Sequence, residues 1–179
     1  MNDRSSTALA IPTNSNLTGM DHLWAGWRST YITGAGDPEP DGCLFCRLPD
    51  QPDRESLIIA RGHTAFTALN RFPYTTGHVM IAPFRHIADP GDLNDSERSE
   101  LWESLVVAQR ALQPAMSPDG FNLGANLGRV AGAGVPGHFH LHLVPRWEGD
   151  ANFMTTVGGT RVIPEDLADT WEKLRAVLE

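Results

Sequence analysis

Apolar and polar positions alternate with a period of two along His138-Phe139-His140-Leu141-His142-Leu143-Val144. That period predicts a strand with Phe139, Leu141 and Leu143 on one face and His138, His140 and His142 on the other. Over about 95–112 the period becomes helical, with Leu101, Leu105, Ala108 and Leu112 on one stripe. Asn94 stands at the cap position, Glu97 can complete a capping box, and Pro114 is expected to close the helix. A second helix is predicted over about 165–178, with Pro164 suited to its start and Leu167, Trp171, Leu174 and Leu178 as its buried stripe. Shorter runs at 56–60, 63–69, 77–83 and 121–127 read as strands, the first two joined by a turn at Arg61-Gly62. In chain order the elements run β-β-β-α-β-β-α, which predicts an α+β fold: an antiparallel sheet with helices packed on one side.

Ahead of these elements, residues 1–22 are rich in Ser, Thr and Asn without periodicity, and read as a flexible leader to a single domain over 23–179. Trp24 and Trp27 call for burial against that domain. No internal repeat or low-complexity segment stands out.

Composition narrows the function classes. A chain of 179 residues with 41% hydrophobic residues can bury a substantial single core. A net charge of −8 argues against a general nucleic-acid binder, so an anionic substrate has to be held by local groups. Lys173 is the only lysine, which leaves arginine as nearly all of the positive charge. No run reaches the roughly 18 apolar residues of a membrane span, and residues 1–20 do not read as a signal peptide. Cys43 and Cys46 are the only cysteines and form a C-x-x-C pair. With no sign of secretion, that spacing points to metal binding or redox chemistry rather than a structural disulfide, and to a cytoplasmic protein.

The chemistry concentrates in one stretch. Gly128 to Gly137 holds four glycines in ten residues, so its backbone can approach a ligand and turn N–H groups toward it. It feeds directly into the histidine row, which suggests phosphate binding beside nucleophiles. The seven positions from His138 to Val144 match without departure the His-φ-His-φ-His-φ-φ signature, φ being apolar, of the histidine triad family, which the chain resembles over roughly residues 23–178. The lead-in Leu23-Trp24-Ala25-Gly26-Trp27-Arg28 and the tail Val144-Pro145-Arg146-Trp147-Glu148-Gly149-Asp150-Ala151-Asn152-Phe153 are similar to a bacterial branch that includes diadenosine tetraphosphate phosphorylases and hydrolases.

That resemblance implies a five-stranded sheet, commonly a homodimer, and a nucleotide substrate. It implies that His140 is the nucleophile and that His142 bonds the phosphate or helps protonate the leaving group. It also implies that Asn70 contacts the ribose and Asn126 the ribose or α-phosphate. The glycine-loop amides, Gly134 among them, would then face the phosphate, with His78 nearby. Cys43, Cys46, His86 and His138 would hold a structural zinc. Many relatives place Gly or Gln and Ser or Thr where Ala133 and Gly134 stand, so a side-chain phosphate contact is missing here.

Imidazole suits the chemistry on its own terms: it is largely neutral at pH 7, nucleophilic at one nitrogen, and a competent leaving group. Two other classes compete. A zinc hydrolase would hold its metal on all three histidines, but would leave Cys43 and Cys46 without partners. A non-catalytic nucleotide-binding module would have no use for His140. Among nucleotide substrates, phosphoramidates compete with dinucleoside polyphosphates, and the acceptor can be water or phosphate.

Overall fold

The computed structural model describes residues 42–150 and 165–179. The expected leader, the tryptophan pair and Asn152-Phe153 lie outside the described residues. Among the described residues two short helices come first, α1 (Leu44–Arg47) and α2 (Asp53–Ser56). Strands β1 (Ile58–Arg61), β2 (Ala65–Leu69) and β3 (Val79–Pro83) follow, then α3 (Asp95–Met116), β4 (Gly120–Gly124), β5 (Leu141–Arg146) and α4 (Leu167–Leu178). The strands form one antiparallel sheet in the order β1-β2-β3-β5-β4. This is the α+β arrangement that the periodicity predicts.

The sheet is covered on both faces at its centre, and β2 and β3 are buried at every position. Ala65, Leu69, Val79, Ile81 and Leu143 point to the helix side, where they meet Leu101, Leu105, Ala108 and Leu112 of α3 and Leu174 of α4. Phe66, Ala68, Met80 and Ala82 point the other way and pack with Phe45 and Leu48. Phe139, Leu141 and Leu143 belong to the helix side as expected. His142 lies opposite Met80 in the ladder, which puts it on the other face.

Several boundaries differ from the expectation, each for a local reason. Pro114 does not close α3, which runs on to Met116 and ends at Ser117 in the left-handed region at φ 48°. A proline in the last turn forfeits a single backbone bond, and the capping box of Asn94 and Glu97 secures the other end. The first strand begins at Ile58 because Pro52 starts a turn of helix, with the Ser56 hydroxyl donating to the Pro52 carbonyl at 3.1 Å. Its turn lies at 62–65 rather than 61–62, closed by the Gly62 N–H on the Ala65 carbonyl at 2.8 Å, and Glu100 of α3 accepts from the N–H of Thr64 at 2.7 Å. The strand expected at 121–127 stops at Gly124, because the chain turns there into the glycine loop.

The largest correction concerns the histidine row. The ladder of β5 begins only at Leu141, so His138 and His140 precede the strand. Pro83 ends β3 without an N–H to offer, and the Phe139 N–H donates instead to the Ile87 carbonyl at 2.5 Å.

Gly77 sets the start of β3. Its φ is +75°, a conformation that L side chains rarely adopt, so glycine suits the turn; a Cβ there would also crowd the Met116 side chain of α3 at 2.6 Å. The residue delivered by that turn is His78, fully buried on the histidine side of the sheet.

Candidate active site and metal-ligand cluster

Although they share a face, the three histidines do three different things. His138 turns its Nδ1 toward the cysteine pair, 3.3 Å from Cys43 Sγ and 3.6 Å from Cys46 Sγ. His86 Nδ1 lies 3.4 Å from Cys46 Sγ, and all four donor atoms fall within 4.8 Å of one another. Ligands at about 2.3 Å (sulfur) and 2.0–2.1 Å (nitrogen) from a tetrahedral zinc stand roughly 3.6 Å apart, so this spacing fits zinc.

The chemistry of the donors fits as well. His138 Nε2–H donates to the Pro83 carbonyl at 2.9 Å, which leaves the Nδ1 lone pair facing the sulfurs. Burial and then the adjoining Cys43 push the Cys46 thiol above its ordinary value, which favours the protonated form; a bound cation is what would let both sulfurs ionise side by side. His86 is carried by a braced loop: the preceding Arg85 forms two bonds to Glu97, at 2.8 and 2.7 Å, and one to the Asp92 carbonyl at 2.8 Å. Arg85 in turn holds the Glu97 carboxyl down to about 2.

His140 turns back on its own chain. Its Nδ1–H donates to the His138 carbonyl at 2.8 Å, so the lone pair sits on Nε2. Phe45 packs against the ring, with centroids 4.6 Å apart. Burial keeps the His140 pKa below the ordinary imidazole value. A buried, neutral imidazole with one fixed N–H is the state that a nucleophile requires.

His142 lies with its ring edge to His140, centroids 4.8 Å apart. Its Nδ1 is 2.9 Å from His78 Nε2, while its own Nε2 is buried without a hydrogen-bond partner among the described residues. Burial, then the neighbouring His140, lowers its pKa to about 4, so it too is neutral at pH 7. The Tyr74 ring stacks on His142 with centroids 5.8 Å apart and packs at a tilt against His78 at 4.5 Å. Thr75 Oγ1 donates to the Pro145 carbonyl at 2.8 Å and ties that loop to β5.

Around this centre, Asn126 Nδ2 donates to the Gly132 carbonyl at 3.3 Å and braces the glycine loop. Residues 129–131 of the loop form a single 3-10 turn between Gly128 and Gly132, both at positive φ. Asn70 Oδ1 accepts from the Phe72 N–H at 2.9 Å, and its Nδ2 lies 3.3 Å from His78 Nδ1. The sequence reading singles out neither Tyr74 nor Phe45; Phe45 lies within the C-x-x-C, and Tyr74 lies four residues after Asn70.

The arrangement separates the rival metal readings. Among the described residues, the cluster able to hold a metal draws one histidine from the triad, His138, and completes itself with Cys43, Cys46 and His86. His140 and His142 stand outside that cluster.

The chain is 40% identical over 157 residues, 84% of its length and 80% of the relative's, to the AP-4-A phosphorylase of Mycobacterium tuberculosis. It is 32% identical over 95 residues to the bis(5'-nucleosyl)-tetraphosphatase (asymmetrical) of Schizosaccharomyces pombe, covering 53% of this chain and 52% of that one. A Zn-bound histidine triad family protein from Mycobacterium smegmatis superimposes with a TM-score of 0.62 at 29% identity, over 76% of this chain and 92% of that chain. The HIT domain model matches residues 51–149, which hold the histidine row, the glycine loop and His78, and the chain therefore belongs to the histidine triad family.

Proposed function

We propose that this chain is a HIT-type enzyme that cleaves a phosphoanhydride of a dinucleoside polyphosphate such as diadenosine tetraphosphate, through a nucleotidyl–histidine intermediate on His140. The observation that carries this reading is the fixed tautomer of His140, whose Nδ1–H is held by the His138 carbonyl at 2.8 Å. Nε2 attacks the α-phosphorus, an N–P bond forms, and the P–O bond to the departing polyphosphate breaks. His142 Nε2–H bonds a phosphate oxygen or the leaving oxygen. Main-chain N–H groups of the glycine loop, Gly134 among them, stabilise the developing charge at phosphorus, with Asn126 holding the loop. Asn70 holds the ribose.

Cys43, Cys46, His86 and His138 would hold zinc, which supplies a structural cross-link between the start of α1, the loop after β3 and the lead-in to β5. Its part in the reaction is indirect, because His138 also presents the carbonyl that orients His140. Thiolate ligands of this kind fit a cytoplasmic setting, where cysteines stay reduced.

A second nucleophile resolves the intermediate: water releases the nucleoside monophosphate, and inorganic phosphate releases the diphosphate. We propose phosphate, on the strength of the M. tuberculosis relative's phosphorylase activity at 40% identity. Incubation with diadenosine tetraphosphate and phosphate is expected to yield ADP and ATP in equal amounts, and AMP with ATP when phosphate is left out. Intact diadenosine tetraphosphate under both conditions would end the proposal.

A homodimer through β4 completes the reading. Side chains of α4 cover the opposite edge, where Trp171 Nε1 donates to the Ile58 carbonyl at 2.9 Å. On the outer side of β4 no described strand pairs, and Leu123 is 46% exposed there. Sedimentation at micromolar concentration is expected to give twice the 19.6 kDa chain mass, and a monomer would remove this part.

A further inference from the structure

His142 can serve as a donor only if its proton sits on Nε2, and nothing in the residue itself decides that. The decision is made two residues away in space. His142 Nδ1 faces His78 Nε2 at 2.9 Å, so one of the two nitrogens carries a hydrogen and the other does not. Which one depends on the far side of His78. There, two groups converge on His78 Nδ1: the main-chain N–H of Tyr74 at 3.1 Å and Asn70 Nδ2 at 3.3 Å.

The orientation of the Asn70 amide is itself fixed. Its Oδ1 accepts from the Phe72 N–H at 2.9 Å, and a flipped amide would put NH2 against that N–H. Both groups facing His78 Nδ1 are therefore donors. His78 Nδ1 must be the bare nitrogen, Nε2 must carry the hydrogen, and that hydrogen goes to His142 Nδ1. The only place left for the proton of neutral His142 is Nε2, the buried atom without a partner among the described residues.

We propose that the Tyr74 N–H and Asn70 Nδ2 act as a pair of positioning donors: through His78 they hold His142 in the tautomer that donates from Nε2, and Asn70 is the member of the pair whose side chain can reverse it. His140, oriented by a carbonyl, keeps the opposite tautomer, so neighbouring imidazoles are set as a nucleophile and a donor by their different hydrogen-bond partners. This rests on the functional reading above only for the use to which the donor is put. The assignment of the protons stands on geometry alone. It adds to the ribose contact proposed for Asn70, and the two roles separate experimentally.

Asn70→Asp keeps an oxygen for the Phe72 N–H and for a ribose hydroxyl, but replaces the donor facing His78 by an anionic acceptor. The carboxylate outweighs the single Tyr74 N–H, so the hydrogen of neutral His78 moves from Nε2 to Nδ1; the bare His78 Nε2 then accepts from His142 Nδ1, and the hydrogen of neutral His142 leaves Nε2 for Nδ1. Asn70→Ala removes the amide but leaves the Tyr74 N–H, so the tautomer holds while the ribose contact is lost. The expected result is a split. Asn70→Asp lowers kcat roughly 10²-fold with KM within about threefold of wild type. Asn70→Ala raises KM by up to about tenfold. Long-range proton–nitrogen NMR of 15N-histidine protein, without substrate, is expected to show His142 protonated at Nε2 in wild type and Asn70→Ala, and at Nδ1 in Asn70→Asp. A wild-type His142 protonated at Nδ1 would overturn the proposal, as would Asn70→Asp with wild-type kcat whether or not the NMR pattern moves. A wild type that cleaves no dinucleoside polyphosphate would defeat the functional reading instead, and the NMR result would still decide the role of Asn70.

Discussion

His140→Ala is expected to abolish turnover, by roughly 10⁵-fold or more, while leaving the protein folded. The side chain carries no cross-strand rung, and the apolar residues on either side of it, Phe139 and Leu141, hold the core on the opposite face. What the substitution removes is the nitrogen proposed to bond to phosphorus. His140→Gly should regain part of the activity when imidazole is added, because the vacated space beside Phe45 admits the missing ring. Rapidly quenched wild-type enzyme should carry a nucleotidyl mass on the peptide that spans His138 to Arg146. The metal content of His140→Ala should equal that of the wild type, since the donor cluster does not include it. Loss of zinc from His140→Ala, together with no trapped adduct in the wild type, would return the assignment to a metal-bound hydroxide.

Cys43→Ser should lower zinc content, stability and turnover together. A site saturated at about 100 times its Kd stabilises the fold by about 2.7 kcal/mol, and that contribution disappears with the metal. Turnover follows because His138 is shared. Its Nδ1 belongs to the metal cluster, and its carbonyl holds the His140 Nδ1–H. A displacement of about 1 Å at a reacting group costs on the order of 10²-fold in rate, and loosening His138 moves the group that aims the nucleophile. Metal analysis, thermal melts and kcat of the same preparation make the comparison. A wild-type protein that is isolated free of zinc and melts at the same temperature as Cys43→Ser would dispose of the structural metal.

Much of this architecture can be read from the chain because it rests on repeated local patterns. Leu101, Leu105, Ala108 and Leu112 announce both the helix and the face it buries, and the alternation around His140 places its neighbours on the correct sides of the sheet. Element ends are harder, since each is decided by a single contact. Pro114 is tolerated because it falls in the last turn of α3, and the histidine strand starts late because Pro83 has no N–H across from it. The site divides in the same way. The histidine row and the glycine loop are contiguous and visible. The C-x-x-C alone supplies half a tetrahedral shell, and resemblance to the family was needed to bring in His86 from forty residues away. Tyr74 over His142 and the Asn70 bond to His78 are products of folding. No spacing in the sequence encodes which nitrogen of an imidazole faces which neighbour.

Pro83 has a consequence beyond ending a strand. A residue with an N–H in its place could have extended the β3–β5 pairing into the histidine row. Instead the row leaves the sheet at His140, and the freed Pro83 carbonyl takes the His138 imidazole. The His138 carbonyl, lying outside the ladder, is then open to a side chain from its own segment. An interruption in regular structure thus supplies two acceptors where they are scarce, in a buried interior whose main-chain oxygens are otherwise committed to main-chain N–H groups. The imidazole proposed as the nucleophile is aimed by a gap in the sheet.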